Sequence, residues 1–252
     1  MRTSKVVVIT VALVAVLAVG AGLWWFLRDD APEQVNLDNA VAANSGKGPA
    51  RASGASGPAT TAPGIDGTWT VDANTGTVDF ETATGSFAGF RIDEELRTIG
   101  ATTAVGRTRG VTGTVTIAGG VGSEEVTATD LTVQLTTITT NEARRDDKVQ
   151  AALDTGPFPT ATFRLTEPFA LPPDAATGAK VSATAKGELT IHGVTKPADV
   201  AIEAVRKGDT VFVTGSTTIN MADFGVQPPK MGPVLQVSDQ AVVEWQLLLK
   251  KP

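Results

Sequence analysis

Hydrophobic residues follow two different patterns along this chain. An apolar run without a charge extends from Val6 to Leu27, which is long enough to cross the hydrocarbon core of a bilayer as a helix. From Gly67 onward, short runs rich in threonine and valine alternate with polar positions, as in Val181 to Ile191. Such alternation is typical of β-strands that bury one face. The chain therefore combines a membrane-type segment with an all-β domain.

The flanks of the apolar run predict its orientation. Arg2 and Lys5 precede it, and cations on this side favour an amino terminus in the cytoplasm. We therefore expect residues 1–28 to form a single-pass transmembrane anchor in the cell membrane, with the rest of the chain outside the cytoplasm. The small residues from Ala18 to Gly22 leave a cleaved signal peptide as the alternative. Either interpretation exports the domain.

Residues 29–63 have the composition of a tether. The part from Asn44 to Gly64 is rich in Gly, Ala, Ser, Thr and Pro and has no large apolar side chain. A segment of this kind cannot bury enough surface to fold by itself. The sequence predicts a disordered, flexible linker at residues 29–63.

The predicted domain at residues 64–252 has about eight strands. Gly, Pro, Asp and Asn turns separate them, as in Lys207-Gly-Asp209. This spacing indicates an antiparallel barrel or sandwich. One segment, Asn141 to Leu153, has helical spacing instead, with Val149 and Leu153 on one face. We expect one short helix there, covering an end of the barrel.

Composition excludes several classes of chemistry. The chain has no cysteine, so disulfides, thiolate metal sites and cysteine nucleophiles are absent. It has one histidine, His192, which makes a zinc site unfavourable. The net charge of −6 comes without a basic stripe, so we expect no nucleic-acid partner. We expect no metal and no cofactor other than a bound lipid.

Four motifs, in order, carry a resemblance to the YceI family of exported lipid-binding barrels. The first is Trp69-Thr-Val-Asp72. The second comprises Thr140, Arg145-Asp146, Leu153-Asp154 and Phe158-Pro159 through Phe163. The third is Gly187-Glu-Leu-Thr-Ile-His-Gly-Val-Thr-Lys-Pro197, and the fourth is Asn220-Met-Ala-Asp223-Phe-Gly225. The family commonly has His-Ser where this chain has Asn74-Thr75, and a histidine in place of Lys148.

The resemblance implies a lipocalin-like barrel whose interior holds a polyisoprenoid, an isoprenoid quinone or another long-chain lipid. The motif residues with implied structural roles are Trp69, Asp72, Arg145, Asp146, Asp154, Pro159, Gly193, Asn220 and Asp223. The side chains expected to line the barrel are Val78, Phe80, Phe87, Phe90, Leu131, Val133, Leu135, Phe163, Leu165, Leu189, Ile191 and Phe224.

Two other functions compete with a lipid carrier. The first is an extracytoplasmic protein-interaction or stress-protection domain, which requires a barrel filled by its own side chains. The second is an enzyme that uses Asp146, Asp154 or His192 in a shared polar cleft. Because the sequence has no nucleophile elbow, phosphate loop or metal-ligand spacing, we expect a binding protein and no enzyme. A homodimer is compatible with the sequence.

Overall fold

The computed structural model describes residues 31–45, 64–77, 83–97, 100–228 and 234–252. The predicted anchor at residues 1–28 lies outside these ranges, as do Val78 and Phe80. Within the described ranges, no helix is long and apolar enough to span a bilayer.

Most described residues belong to thirteen strands. The strands are β1 Gly67–Val71, β2 Phe87–Leu96, β3 Gly100–Thr108, β4 Val111–Ala118, β5 Glu125–Gln134, β6 Thr139–Thr140, β7 Thr160–Leu165, β8 Phe169–Ala170, β9 Val181–Ile191, β10 Val194–Lys207, β11 Thr210–Asn220, β12 Val234–Val237 and β13 Gln240–Lys250. The α-helices are α1 Leu37–Ser45 and α2 Asp146–Ala152, and 3₁₀ turns form at Leu135–Thr137, Ala143–Arg145, Ala175–Thr177 and Met221–Phe224.

Eight strands close into an antiparallel barrel. The circuit runs β1-β4-β5-β7-β9-β10-β11-β13 and returns to β1, where Val71 pairs with Leu249. Strands β2, β3 and β6 extend the sheet from β13, while β12 pairs with β2 and β8 with β5. The prediction of an antiparallel barrel of about eight strands with a short helix is confirmed.

The barrel has two distinct ends. The upper end carries α2, the His192-Gly193 turn between β9 and β10, and the Met221–Phe224 turn after β11. The lower end carries the β4–β5 hairpin, the Ala175–Thr177 turn and the hairpin between β10 and β11. Helix α2 follows the predicted pattern, because Val149 and Leu153 pack against the barrel core.

Residues 31–45 differ from the predicted linker. They form a strap on the outer face of the barrel, and α1 within it buries Leu37 and Ala40 to 1% exposure. Leu37 packs with Val205, Phe212 and Leu248 in a second hydrophobic cluster. The side chain of Asn36 accepts a hydrogen bond from the Asn39 backbone N–H (2.8 Å) before the helix begins. The prediction of a disordered linker is corrected for this part, because α1 gains its stability from the barrel surface.

Candidate functional site

The barrel interior contains two apolar chambers. The upper chamber has a volume of about 140 Å³ and is enclosed by β2, β5, β7, β9, β13 and α2. The lower chamber has a volume of about 80 Å³ and lies among β4, β5, β10 and β11. Four side chains border both chambers: Leu131, Phe163, Trp245 and Leu247. We refer to these four residues as the waist.

The waist is formed by three strands, the neighbouring pair β5 and β7 and the strand β13. Leu131 on β5 and Phe163 on β7 are register partners, whereas Trp245 and Leu247 lie on β13. The ring centroids of Phe163 and Trp245 are 5.7 Å apart at an interplanar angle of 42°. This distance is within the range of attractive aromatic pairs. The two rings therefore separate the upper chamber from the lower one.

Large aromatic side chains fit inside this narrow barrel because they lie over glycines. A Cβ added to Gly215 would be 2.4 Å from the Trp245 indole, and one added to Gly187 would be 2.6 Å from the Phe163 ring. Gly106 has the same relationship to Phe90, with 2.4 Å to its ring. Glycine permits such close approach because it has no side chain. The three rings consequently lie close to the backbone of the neighbouring strands.

One ion pair interrupts the apolar wall of the upper chamber. Arg145 Nη2 lies 2.8 Å from Glu94 Oε2, and Arg145 Nη1 donates to Asn141 Oδ1 at 3.3 Å. Burial raises the pKa of the Glu94 carboxyl, and the positive charge of Arg145 offsets part of that rise. Thr140 also borders the chamber. The upper chamber thus has charged and hydrogen-bonding side chains at one place in a wall that is otherwise mostly apolar.

Asp146 attaches α2 to the adjacent strand. Its Oδ1 accepts hydrogen bonds from the Thr140 backbone N–H (2.8 Å) and from the Thr140 hydroxyl (2.7 Å). Together with the bond from Arg145 to Glu94, these contacts fix the junction between the 3₁₀ turn and α2. The motif residues Arg145 and Asp146 therefore fasten the helix over the upper end of the barrel.

The structure places more than half of the predicted lining residues on the chamber walls. Their side chains alternate with outward-facing neighbours along four strands, as the period of two requires. The residues so placed are Phe90, Leu131, Val133, Leu135, Phe163, Leu189 and Ile191.

Three other assignments to the lining are corrected. Phe87 faces the outer side of β2, where the Arg107 guanidinium lies 4.6 Å from its ring centroid, because Ala88 and Phe90 occupy the inner face. Leu165 packs against the core without bordering either chamber. Phe224 is buried at the end of the Met221–Phe224 turn, and Met221, at the start of that turn, borders the upper chamber instead.

Two motif residues stabilise the lower part of the barrel. The Trp69 indole N–H donates to the Ile65 carbonyl (2.7 Å), and Lys251 Nζ lies 5.2 Å from the Trp69 ring centroid. Asp72 accepts hydrogen bonds from Lys250, from the Thr75 hydroxyl and from the Asn74 backbone N–H. Burial opposes ionisation of Asp72, but these donors outweigh it and lower the pKa to about 2.

The remaining motif residues shape turns at the upper end. Asp154, two residues after the end of α2, has a left-handed backbone (φ 46°), and the Pro159 carbonyl accepts from the Leu135 N–H (2.8 Å). Gly193 also has positive φ (73°), where a Cβ would lie 2.5 Å from the Phe158 ring. Asn220 Oδ1 accepts from the Ala222 N–H at 3.0 Å. Asp223 is exposed in the same turn.

Two of the three candidate catalytic groups, His192 and Asp146, have structural partners. His192 Nδ1 lies 3.2 Å from the Phe224 carbonyl oxygen, and its ring packs edge-on against Phe158. Asp146 bonds to Thr140, and Asp154 is exposed beyond α2. In the described part of the chain, no group of three or more His, Asp or Glu side chains is arranged to hold a metal ion.

Trp245 and Glu94 are among the residues of the site that were not predicted from the sequence. Trp245 lies in the continuous run Glu244-Trp-Gln-Leu-Leu-Leu249, where inner and outer positions cannot be separated by hydropathy. Glu94 lies in the acidic stretch Asp93-Glu-Glu95, which is typical of a solvated turn. A period-two count from Phe90 through Ile92 would have placed Glu94 on the inner face.

These features define a closed, antiparallel β-barrel with an apolar, partly hollow interior. The sequence profile of the YceI-like domain family matches residues 69–248, which is most of the chain. The protein belongs to this family.

Curated relatives include proteins named UPF0312 protein. One from Pseudomonas savastanoi pv. phaseolicola is 34% identical over 124 residues, which cover 44% of this chain and 59% of that protein. One from Vibrio vulnificus is 32% identical over 123 residues, covering 46% of this chain and 60% of that protein. The chain thus spans about three fifths of the length of these relatives.

Solved structures with a similar chain path include BcnA from Burkholderia cenocepacia, at 18% identity and a TM-score of 0.47, covering 64% of this chain and 95% of that one. Another is a polyisoprenoid binding domain from Saccharophagus degradans, at 16% identity and a TM-score of 0.47, covering 66% and 98%. The family assignment rests on the sequence profile.

Proposed function

We propose that this protein binds a long-chain apolar lipid inside the barrel and acts as a carrier or store outside the cytoplasm. The observation that supports this most is the pair of apolar chambers that lie on either side of the waist. An apolar cavity of about 150 Å³ is large enough to bind a benzene-sized group, and the upper chamber has a similar volume of about 140 Å³. A barrel filled by its own side chains, which the interaction-domain hypothesis requires, would lack this space.

The upper chamber takes the polar end of the ligand under this proposal. Arg145, Glu94 and Thr140 are polar groups that border it, and a hydroxyl, carbonyl or amide could exchange hydrogen bonds with them. The remaining wall is apolar, and each buried methylene contributes about 0.8 kcal/mol. A chain longer than the upper chamber has to displace the Phe163 and Trp245 rings, which are 5.7 Å apart, before it enters the lower chamber. A polyisoprenoid, an isoprenoid quinone and a fatty derivative all combine a polar end with a long apolar chain.

We further propose that residues 1–28 anchor the protein in the cell membrane and leave the barrel on the extracytoplasmic side. Support comes from the apolar run between Val6 and Leu27 and from the cations Arg2 and Lys5 ahead of it. The function requires no catalytic group, because binding and release of a lipid break no covalent bond.

Fluorescence of Trp245 tests binding inside the barrel directly. Residues 31–252 contain two tryptophans, Trp69 and Trp245, and only Trp245 borders the chambers. A long-chain alcohol with bromine on its chain should quench Trp245 upon contact. In the matched variant Trp245→Phe, the remaining Trp69 emission should stay unchanged. Equal quenching of both proteins, or none, would contradict a ligand at the waist.

A further inference from the structure

The strap is held to the barrel by a buried charged group on the outer face of β13. Glu244 is fully buried, and its Oε1 lies 3.5 Å from Arg107 Nη2 and 3.8 Å from Arg91 Nη1. Glu244 and Trp245 are consecutive residues of β13, so their side chains point to opposite faces of the strand. Because Trp245 borders the chambers, the Glu244 carboxylate points away from the lipid site. Buried charges are costly unless they have close polar partners.

The backbone of the strap supplies several of those partners. The Val35 N–H donates to Glu244 Oε2 at 3.1 Å. The Pro32 carbonyl accepts from Arg91 Nη1 at 2.7 Å, and the Glu33 carbonyl accepts from Arg107 Nη2 at 3.3 Å. These bonds tie residues 32–35 to three charged side chains that the strap itself covers. The chain is therefore fixed to the barrel almost from its first described residue.

The strap runs from the upper part of the barrel toward the lower end. Pro32 contacts Arg91, whose register partner on β13 is Val242. Farther along the strap, Leu37 packs on Leu248 of the same strand. Val242 is two residues from the upper end of β13 at Gln240 and eight from the lower end at Lys250. The chain thus joins β13 near its upper end, beside the middle of β2, which continues five residues from Arg91 to Leu96.

From this geometry we infer that the barrel docks on the bilayer with its upper end, so that the upper chamber faces the lipid surface. The inference rests on the proposed membrane anchor. Five residue steps separate Leu27, the last residue of the apolar run, from Pro32, which contacts Arg91. Fully extended, they reach at most about 18 Å. The point where the strap meets the barrel must lie within that distance of the membrane interface.

A barrel with its lower end toward the membrane exceeds this reach. Eight residues of β13 separate Val242 from Lys250, which is about 27 Å along the strand and about 20 Å along the axis of a barrel with normal strand tilt. A barrel lying on the strap is also unfavourable, because the strap exposes Glu33, Asp38 and Asn39. The upper end is the remaining face, and a lipid leaving the bilayer there enters the chamber bordered by Arg145 first.

Site-specific fluorescence on the full chain tests this orientation. The chain has no cysteine, so one introduced cysteine carries a single label. Arg144→Cys marks the upper end and Val121→Cys the lower end, and both native side chains are exposed, at 88% and 86%. Each protein is labelled with a solvent-sensitive dye and inserted into phosphatidylcholine–phosphatidylglycerol vesicles whose headgroups carry a nitroxide quencher. We expect loss of fluorescence for the Arg144→Cys protein and no loss for the Val121→Cys protein.

A lengthened chain provides the matched control. Insertion of about twelve Gly and Ser residues between Asp30 and Ala31 leaves every strap contact in place but extends the root-mean-square reach to about 20 Å. The difference between the two labels should then shrink. Equal quenching in the native-length chain, or stronger quenching at the lower end, overturns the orientation. Lipid uptake, followed by Trp245 quenching on residues 31–252, is independent of orientation and continues to report on the proposed function.

Vesicle flotation distinguishes failure of the membrane anchor from failure of the proposed orientation. A full chain that does not float with the vesicles has no anchor, so the membrane part of the proposed function and the orientation fail together. A chain that floats, takes up lipid and quenches equally at both labels retains the proposed function and contradicts only the orientation.

Discussion

The Arg145 guanidinium lies 2.8 Å from the Glu94 carboxylate in a chamber wall that is otherwise almost entirely apolar. The two residues are far apart in sequence, on β2 and in the 3₁₀ turn before α2. Their contact joins the helix to the barrel and provides the charged spot of the upper chamber. One pair therefore serves both stability and ligand recognition in the proposed function.

Removing one member of this pair should be more harmful than removing both. Arg145→Met leaves the buried Glu94 without its main partner and should lower the free energy of unfolding by about 3 kcal/mol. The double change Arg145→Met with Glu94→Leu should cost less, because no charge remains buried. Urea unfolding measures both. An equal or larger loss in the double variant would contradict this account of the pair.

Widening the waist should change which ligands are retained. Phe163→Ala removes one of the two rings between the chambers and should lower the free energy of unfolding by about 3 kcal/mol. The longest bound chain, measured by extraction and mass spectrometry, should increase because the chambers merge. Leu165→Ala on the same strand is the control, since Leu165 borders neither chamber. A shift in chain length with both variants would refute a selective role for Phe163.

Closing the waist should weaken binding. A methyl group at Gly215 would meet the Trp245 indole at 2.4 Å, so Gly215→Ala pushes the indole toward the chambers. We expect roughly tenfold weaker binding of a long-chain alcohol, or ~1.4 kcal/mol. Gly156→Ala has no heavy atom within 4 Å of its added Cβ and should bind as the native protein does. Unchanged affinity in Gly215→Ala would show that Trp245 does not border the bound chain.

Acid should weaken the contact between Asp72 and Lys250. The pKa of Asp72 is lowered to about 2 in the folded protein, below the usual value of about 3.9 for an unfolded chain. The stabilisation is therefore complete above about pH 4 and is lost as the pH falls toward 2. Asp72→Asn should remove on the order of 1–2 kcal/mol of stability at pH 7 but little at pH 2.

The matched variant for this prediction is Lys250→Met, which removes the strongest donor to Asp72. Its stability should begin to fall at a higher pH than that of the native protein. Urea midpoints between pH 2 and pH 7 measure both effects. Parallel stability profiles for the native protein and Asp72→Asn would contradict the assignment.

The alternation of apolar and polar residues along the strands correctly predicted most of the residues that line the chambers. It failed for Phe87. Leu189 and Ile191 fall on the inner face because β9 has one buried face and one exposed face. Phe87 was assigned to the wrong face because it is aromatic. It lies three residues before Phe90 on the same strand, so the two side chains point to opposite faces. Only the pairing of β2 with its neighbours decides which of the two points inward, since a shift of one residue exchanges the two faces.

The strap and Trp245 were missed for a common reason. The strap covers the outer face of β13, and Trp245 lies on the inner face of the same strand. This strand is therefore buried on both sides from Glu244 to Leu249. A strand buried on both faces loses the alternation that reveals its inner side. The apolar face of α1 comprises Leu37, Ala40 and Val41, and such a short face indicates a helix only once its partner surface is known.

The most direct test of a lipid-binding barrel is native mass spectrometry of residues 31–252, released from membranes by a protease site placed before Ala31 and kept free of detergent. The proposed function predicts a complex with one long-chain lipid, which organic extraction releases and identifies. A protein detected only in its ligand-free form, and unable to take up added prenyl or acyl chains, would contradict it.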